Sequence, residues 1–337
     1  MPRFRTGTVT AITSERDGLQ RVEVDRRPAY VLTRLIGPVA VGDAVVVNTT
    51  AVDLGLGTGG WDVVHWNLAR DEWDQPGAGH VMKLRYTSLQ IDAGVAEEAE
   101  GYTPPTDLGG VPVIACALHS QVACVAAAMA DTAPGARLVY VMTDAGALPL
   151  ALSDLVADLR DVGWLQATVT VGQAFGGEHE AVNLRSGLDV ARAVAGADVI
   201  VVGTGPGVVG TGTRHGFSGL EVAGIIDLAG SGGGRPVVAL RWSDADSRPR
   251  HRGLSHHSLT ALAYAHHGAT VAVPEGYPAP ELGAPHRIIE TEVPDVGAML
   301  DDAGLRVTTM GRGPEEDPGF FDFAAAAGVV GAGLLSS

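Results

Sequence analysis

The first 95 residues are predicted to form a small antiparallel β-barrel, because short β-branched runs alternate with turn residues. Asp17-Gly18 and Gly42-Asp43 supply two of these turns. The spacing of the runs is typical of a closed sheet of short strands. The strand-like runs lie at 7–16, 20–25, 29–35, 43–51, 61–67 and 81–91.

From residue 111 the pattern changes to continuous apolar runs separated by helix-compatible segments. Strands that are apolar on both faces are typical of a parallel sheet covered by helices on both sides. We therefore predict an α/β fold class, with the barrel followed by a larger doubly wound, mostly parallel, Rossmann-like domain at 111–337. The tail is predicted to add a strand at 305–310 and a helix after Pro318. The apolar runs lie at 111–118, 136–143, 166–172, 197–203, 235–242 and 269–274.

The segment 96–110 is predicted to be a linker, because it is acidic and contains two prolines and two closing glycines. The longest apolar run, 323–335, consists mostly of alanine and glycine, and it is too short and too weakly apolar to cross a bilayer. No apolar stretch of signal-peptide length is present at the N-terminus. We expect a cytoplasmic protein that has no membrane partner, and we interpret 323–335 as a buried helix.

The charge balance argues against nucleic-acid binding, because a formal net charge of -16 repels phosphate backbones. Two cysteines, Cys116 and Cys124, show no redox motif and are compatible with a reducing compartment. Lys83 is the only lysine. The Gly-Lys-Ser/Thr ending of a P-loop and the serine–lysine hydrolase signatures are absent.

The strongest functional signal is an asymmetry between the two ends of the predicted parallel strands. Six of the eleven histidines follow the carboxyl ends of these strands, whereas the amino ends carry none. Ligands of open parallel sheets bind beyond the carboxyl ends. The polar segments that follow the successive strands begin at His119, Thr143, Gln173, Thr204 and Ser243.

A glycine-rich loop follows the fourth of these strands and predicts binding of a small anionic ligand. Glycines let the backbone N–H groups approach a phosphate or carboxylate, and an arginine can clamp it. The loop argues against NAD as a cofactor, because it is longer than a Rossmann turn and no acidic residue lies on a following strand about 20 residues on. A purely structural glycine turn is the alternative. The predicted ligand-binding residues are Gly205, Gly207, Gly210, Thr211, Gly212, Thr213, Arg214 and His215.

The same edge carries candidate acid–base groups and metal ligands. We predict catalytic roles for His119, Asp144, His179 and His257. A divalent metal is a candidate cofactor, with His119, His179 and His256 as candidate ligands. No HExxH spacing marks a metal site, so the ligands would come from separate loops. Metal-free acid–base roles and ordinary hydrogen-bonded loop histidines are the alternatives.

Six segments of the chain carry a family resemblance: GHVMKLRYTSLQ, ALHSQ, VMTDAGALP, TVGQAFGGEHEAVN, GTGPGVVGTGTRHGF and RHRGLSHHSLTALAYA. Together they resemble a bacterial family of proteins defined by domain of unknown function 3866. The resemblance implies a bacterial cytosolic protein and brings no activity with it.

From the residues themselves, we predict an enzyme of hydrolysis or group transfer acting on a small anionic, phosphorylated or nucleotide-like substrate. The alternative is a non-catalytic ligand sensor or scaffold, and a homo-oligomer is compatible with either.

Overall fold

A computed structural model describes residues 1–56, 59–77 and 79–336. These residues form two compact units, which divide between Gly94 and Val95. The segment 96–110, predicted to be a linker, is grouped with the second unit, where Leu108 is fully buried in a hydrophobic core.

The first unit contains a closed five-stranded barrel with valine as its main core residue. Val22, Val24 and Val31 alternate with more exposed positions, as expected when one strand face is buried. Two short helices, α1 (Thr33–Ile36) and α2 (Thr50–Asp53), lie between strands. The strands are β1 (Phe4–Arg16), β2 (Leu19–Val24), β3 (Arg27–Leu32), β4 (Ala44–Asn48) and β5 (Asp62–Asn67), followed by the short pair β6 (Met82–Lys83) and β7 (Ile91–Asp92).

The barrel is closed by one parallel pair within an otherwise antiparallel sheet. Its strand order is β1-β2-β3-β5-β4, and β4 returns to pair with β1. The parallel pair is β3 with β5, in which Tyr30 lies opposite Val63. This connectivity is that of an OB-type Greek-key barrel.

The second unit is built on an eight-stranded, all-parallel sheet, which confirms the predicted α/β class. The sheet order is β11-β10-β9-β12-β8-β13-β16-β17, and a separate antiparallel pair joins β14 to β15. The strands are β8 (Pro112–Cys116), β9 (Leu138–Thr143), β10 (Ala167–Thr170), β11 (His179–Glu180), β12 (Val199–Thr204), β13 (Arg235–Ala239), β14 (Trp242–Ser243), β15 (Gly253–Leu254), β16 (Thr270–Pro274) and β17 (Arg287–Thr291).

Helices cover both faces of this sheet. One face packs against α3, α4, α8 and α9, and the other packs against α5, α6 and α7. No helix among the described residues is both long enough and apolar enough to cross a membrane. The helices are α3 (Gln121–Thr132), α4 (Asp154–Asp161), α5 (Leu184–Ala193), α6 (Glu221–Ser231), α7 (His256–Tyr264), α8 (Val296–Asp302) and α9 (Pro318–Gly333).

The strand predicted at 305–310 is wrong. Leu305, Val307 and Thr309 are buried and alternate with exposed residues, which is the period of a strand. The segment nevertheless pairs with no strand of the sheet and makes only an isolated bridge between Thr309 and Arg312. The edge strand next to β16 is β17 instead. The sequence analysis missed β17 because its side chains are only half-buried.

Small residues bring α3 and α9 into close contact. A Cβ atom added to Gly328 would lie 2.7 Å from the carbonyl oxygen of Val125 and 2.9 Å from the Cβ of Ala128. Real Cβ atoms do not approach other atoms so closely, so this backbone approach requires glycine. The alanine- and glycine-rich composition of 323–335 therefore reflects close helix packing, and the predicted buried helix is observed there.

Gly328→Val should lower the free energy of unfolding by about 1–3 kcal/mol, because it overpacks the α3–α9 contact. Urea unfolding followed by circular dichroism measures the change. The matched control is Gly224→Val in α6, where an added Cβ meets nothing within 4 Å. The control should change stability by less than about 0.5 kcal/mol. Equal effects of the two substitutions would contradict the close packing.

Candidate functional site

A cavity of about 520 Å³ lies at the carboxyl edge of the parallel sheet. Its walls are residues 117–120 after β8, residues 206–211 after β12, side chains between 241 and 257 after β13, and residues 306–310. From β8 the chain runs into α3 on one face, and from the neighbouring β12 it runs to α6 on the other. Neighbouring strands whose connections leave in opposite directions form the crevice in which open α/β sheets bind ligands.

The glycine-rich loop contributes part of its length to this cavity. Gly207, Gly210 and Thr211 line it, together with the intervening residues 208 and 209. Gly207 has a φ of 88°, a left-handed conformation that favours glycine. A Cβ atom added to Gly210 would lie 3.5 Å from Cε1 of His257. The loop therefore brings its backbone close to one of the predicted histidines.

The remaining predicted loop residues lie outside the cavity wall. Gly205 packs beneath the loop, where an added Cβ would collide with the carbonyl oxygen of Ala147. Nε2 of His215 is 3.0 Å from the hydroxyl of Tyr264. The loop residues absent from the lining are Gly205, Gly212, Thr213, Arg214 and His215.

Four arginines face the cavity: Arg241, Arg248, Arg250 and Arg306. Two of them share the buried carboxylate of Asp246. Arg248 donates to Asp246 through Nε at 2.9 Å and through its terminal nitrogen at 2.7 Å, and Arg241 lies 3.5 Å away. Hydrogen bonds from Arg248 hold the pKa of Asp246 well below its usual range.

The other two arginines are available to a ligand. The side chains of Arg250 and Arg306 are exposed at the cavity and form no ion pair with any residue in the described ranges. Exposed guanidinium groups beside a glycine-rich loop favour a phosphate or carboxylate. Sequence reasoning missed this arginine cluster, because Arg306 is distant in the chain and Arg241 belongs to an apolar run.

A second buried aspartate, Asp317, holds the segment 305–312 against the rest of the unit. It is fully buried and accepts hydrogen bonds from Oγ of Ser243 at 2.6 Å, from the backbone of Asp244 at 2.7 Å and from Nε of Arg312 at 3.0 Å. This network joins the start of α9 to β14. It thereby fixes the segment that carries Arg306 into the cavity wall.

Three histidines come together beside the arginines. His251, His256 and His257 each offer a ring nitrogen within 4.8 Å of the other two. His251 and His257 line the cavity, and the ring of His257 stacks on Phe217 with a centroid distance of 3.7 Å. His256 and His257 begin α7, whereas His251 ends a short 3-10 turn in the loop between β14 and β15. His251 was not among the predicted site residues.

His251 and His257 are neutral at physiological pH. Burial, together with the neighbouring His256 and His251, lowers the pKa of His257 to about 3. Burial, followed by the charge of Arg241, lowers the pKa of His251 to about 4. Each ring therefore presents a lone pair on one nitrogen and a donor on the other.

Comparison with known proteins identifies the family to which this chain belongs. The model of a family described as protein of unknown function, DUF3866, matches residues 28–328. The chain belongs to the DUF3866 family. No curated protein and no solved structure matches it. The resemblance drawn from the sequence motifs is thus confirmed.

In this DUF3866 protein, His119 lines the cavity but is engaged in hydrogen bonds on both sides of its ring. Its Nδ1 lies 3.1 Å from the carbonyl oxygen of Thr204, and its Nε2 lies 2.7 Å from Oγ of Ser153. A carbonyl only accepts, so Nδ1 donates and Nε2 accepts the serine proton. Burial lowers the pKa of His119 to about 4. The ring joins the ends of β8 and β12 to the start of α4.

Asp144 and His179, also predicted to be catalytic, are not part of the cavity wall. Asp144 accepts a hydrogen bond from the backbone N–H of Gln173 at 2.9 Å. His179 belongs to the edge strand β11, opposite Val169 of β10. The structure therefore groups His119 with His257 at the cavity, and places His256 in the histidine cluster, apart from Asp144 and His179.

Glu221 is a half-buried acidic group at the same sheet edge that the sequence did not single out. Its Oε2 accepts a hydrogen bond from Oγ1 of Thr143 at 2.8 Å, while its Oε1 is buried and has no hydrogen-bond partner in the described part of the chain. Burial, aided by the charge of Asp144, raises the pKa of Glu221 to about 7. The residues around Glu221 in the sequence do not indicate this environment.

Glu221→Gln should remove a pH dependence of stability. In the folded protein Glu221 keeps its proton up to about pH 7, whereas in the unfolded chain it loses the proton near pH 4.5. The stabilisation is fully present below about pH 4.5 and is lost as the pH rises through 7. Relative to the variant, the wild-type protein should lose on the order of 3 kcal/mol between pH 4.5 and 8.

Urea unfolding at pH 4.5, 6 and 8 measures this difference. Glu281→Gln, at an exposed glutamate, is the matched control and should follow the wild-type protein at every pH. Parallel stability curves for wild type and Glu221→Gln would show that Glu221 does not retain its proton in the folded protein.

Proposed function

We propose that the second unit binds a small anionic ligand that carries a phosphoryl group, and that it hydrolyses or transfers this group. The observation that carries the proposal is that two exposed arginines, Arg250 and Arg306, share one cavity with the glycine-rich loop and form no ion pair within the described part of the chain. Guanidinium forks and backbone N–H groups are the donors that phosphate groups favour. Because the chain as a whole is negatively charged, a local cluster of arginines indicates an anion site more specifically.

The size and lining of the cavity support a phosphorylated metabolite or a nucleotide-like ligand. A volume of about 520 Å³ is within the usual range for small-molecule sites. Leu118, Leu155 and Val307 provide apolar surface for the uncharged part of such a ligand. The arginines would bind the anionic end, and the adjacent imidazoles would lie near the reacting group.

A non-catalytic ligand sensor is the second candidate. It is favoured by the low pKa values of His251 and His257, because imidazoles with a pKa of about 3 to 4 are weak general bases at neutral pH. A sensor requires only complementarity to its ligand. The two candidates share the binding site and differ in turnover.

We also propose a bacterial cytoplasmic location. The family resemblance supports a bacterial source. Cys116 and Cys124 are both buried and unpaired, which suits a reducing compartment. A formal net charge of -16 suits a protein that does not associate with nucleic acid.

The double variant Arg250→Gln/Arg306→Gln should bind inorganic phosphate and adenosine monophosphate at least about 10-fold more weakly than the wild-type protein. Each charge-assisted hydrogen bond contributes about 1.5–3 kcal/mol, and 1.4 kcal/mol corresponds to a factor of ten. Isothermal titration calorimetry on the full chain measures both ligands. Release of phosphate from adenosine monophosphate, followed in parallel, separates the enzyme from the sensor.

Arg252→Gln is the matched control, since Arg252 is exposed in the same loop and does not line the cavity. It should bind both ligands as the wild-type protein does. Unchanged affinity in the double variant, or an equal loss in Arg252→Gln, would overturn the proposed anion site.

A further inference from the structure

We propose that His251, His256 and His257 together bind one divalent transition-metal ion of the zinc class. The metal site itself is argued from the histidines alone, whereas its role beside the anion cavity rests on the proposed function. Three imidazole ligands with one open position are a recurrent arrangement for catalytic zinc.

The spacing of the three rings fits a single ion. Their ring centroids are 4.4 Å apart for His256 and His257, 4.7 Å for His251 and His257, and 5.1 Å for His251 and His256. The ligand nitrogens lie within 4.8 Å of one another. Tetrahedral zinc with bonds of about 2.0–2.1 Å holds its ligand atoms about 3.3 Å apart. Rotating the rings so that their nitrogens move by roughly an ångström would bring these atoms to the separation of a tetrahedral zinc site.

Two of the ring nitrogens are buried and have no partner of their own. Nε2 of His256 and Nε2 of His257 make no hydrogen bond with any residue in the described ranges. Burying such a polar atom costs free energy unless a partner satisfies it. A metal ion between the rings would satisfy both atoms at once.

Ser255 fixes the third ring and the start of the helix. It is fully buried, and its Oγ lies 2.8 Å from Nδ1 of His251 and accepts from the backbone N–H of His257 at 3.2 Å. A hydrogen bond to one ring nitrogen of a histidine selects the other nitrogen as the metal ligand. Ser255 therefore leaves Nε2 of His251 as its ligand atom and anchors His257 at the same time.

The open coordination position would face the anion cavity, because His251 and His257 line it, whereas His256 does not. Arg250 borders the same space. An anionic oxygen of the ligand would then contact both the metal ion and a guanidinium group. A site of three nitrogen ligands suits zinc, cobalt, nickel or copper, and it does not suit Mg²⁺ or Ca²⁺, which require oxygen ligands.

Metal binding should be measured on the full-length protein without a histidine tag. The untagged protein is stripped with a chelator and dialysed against Zn²⁺, and bound metal is determined by elemental analysis. We expect one equivalent of Zn²⁺ in the wild-type protein, at least a 10-fold weaker affinity in His251→Ala and in His256→Gln, and no retention of Mg²⁺. Co²⁺ in place of Zn²⁺ should give the visible absorption of a four-coordinate nitrogen site.

His266→Ala, just beyond the end of α7, is the matched control and should retain the full equivalent. The double variant Arg250→Gln/Arg306→Gln should also retain it, so loss of anion binding and loss of metal binding are separable. Circular dichroism verifies that the histidine variants are folded, and the Co²⁺ spectrum of the wild-type protein is the readout if they are not. Absence of Zn²⁺ from the wild-type protein, or an undiminished equivalent in both histidine variants, would overturn the metal site.

Discussion

The cavity wall depends on one buried carboxylate, that of Asp246. Only 2% of Asp246 is exposed, yet it stays charged because Arg248 and Arg241 surround it. Separating the partners of a buried ion pair leaves an uncompensated charge, which costs free energy. The loop between β14 and β15 is therefore held in one conformation. That loop carries Arg250 and His251. A single acidic side chain therefore offsets the mutual repulsion of Arg241 and Arg248, which share a small volume with the imidazoles.

The architecture of the second unit could be predicted from the sequence because apolar runs and their spacing are local properties. The carboxyl-edge rule likewise led to Gly207, Gly210 and His257, which do line the cavity. The strand at 305–310 was predicted wrongly because burial every second residue also arises in an irregular segment that packs on the core. Hydrogen-bonded pairing with a neighbouring strand distinguishes a true strand from such an irregular segment, and pairing is not a local property of the sequence.

The candidate site could be predicted only in part, for the same reason. Asp144 and His179 also follow strands, but those strands, β9 and β10, lie to one side of the crevice between β8 and β12. Arg306 lines the cavity because Asp317 and its hydrogen bonds fix the segment that carries it. No spacing motif in the sequence encodes this network. Conversely, His251, Ser255, His256 and His257 lie within seven consecutive residues, and their convergence requires only a hairpin followed by a helix start.

The position of β8 has a consequence for how the chain folds as it is synthesised. β8 is the earliest strand of the parallel sheet, and it pairs with β12 and β13, which emerge more than 80 residues later. The barrel, in contrast, has all five strands by Asn67. A ribosome-bound chain can thus complete its first unit while the apolar strand β8 still has no partner strand. The interval before Thr204 is synthesised is therefore the stage most exposed to aggregation and most suited to chaperone capture.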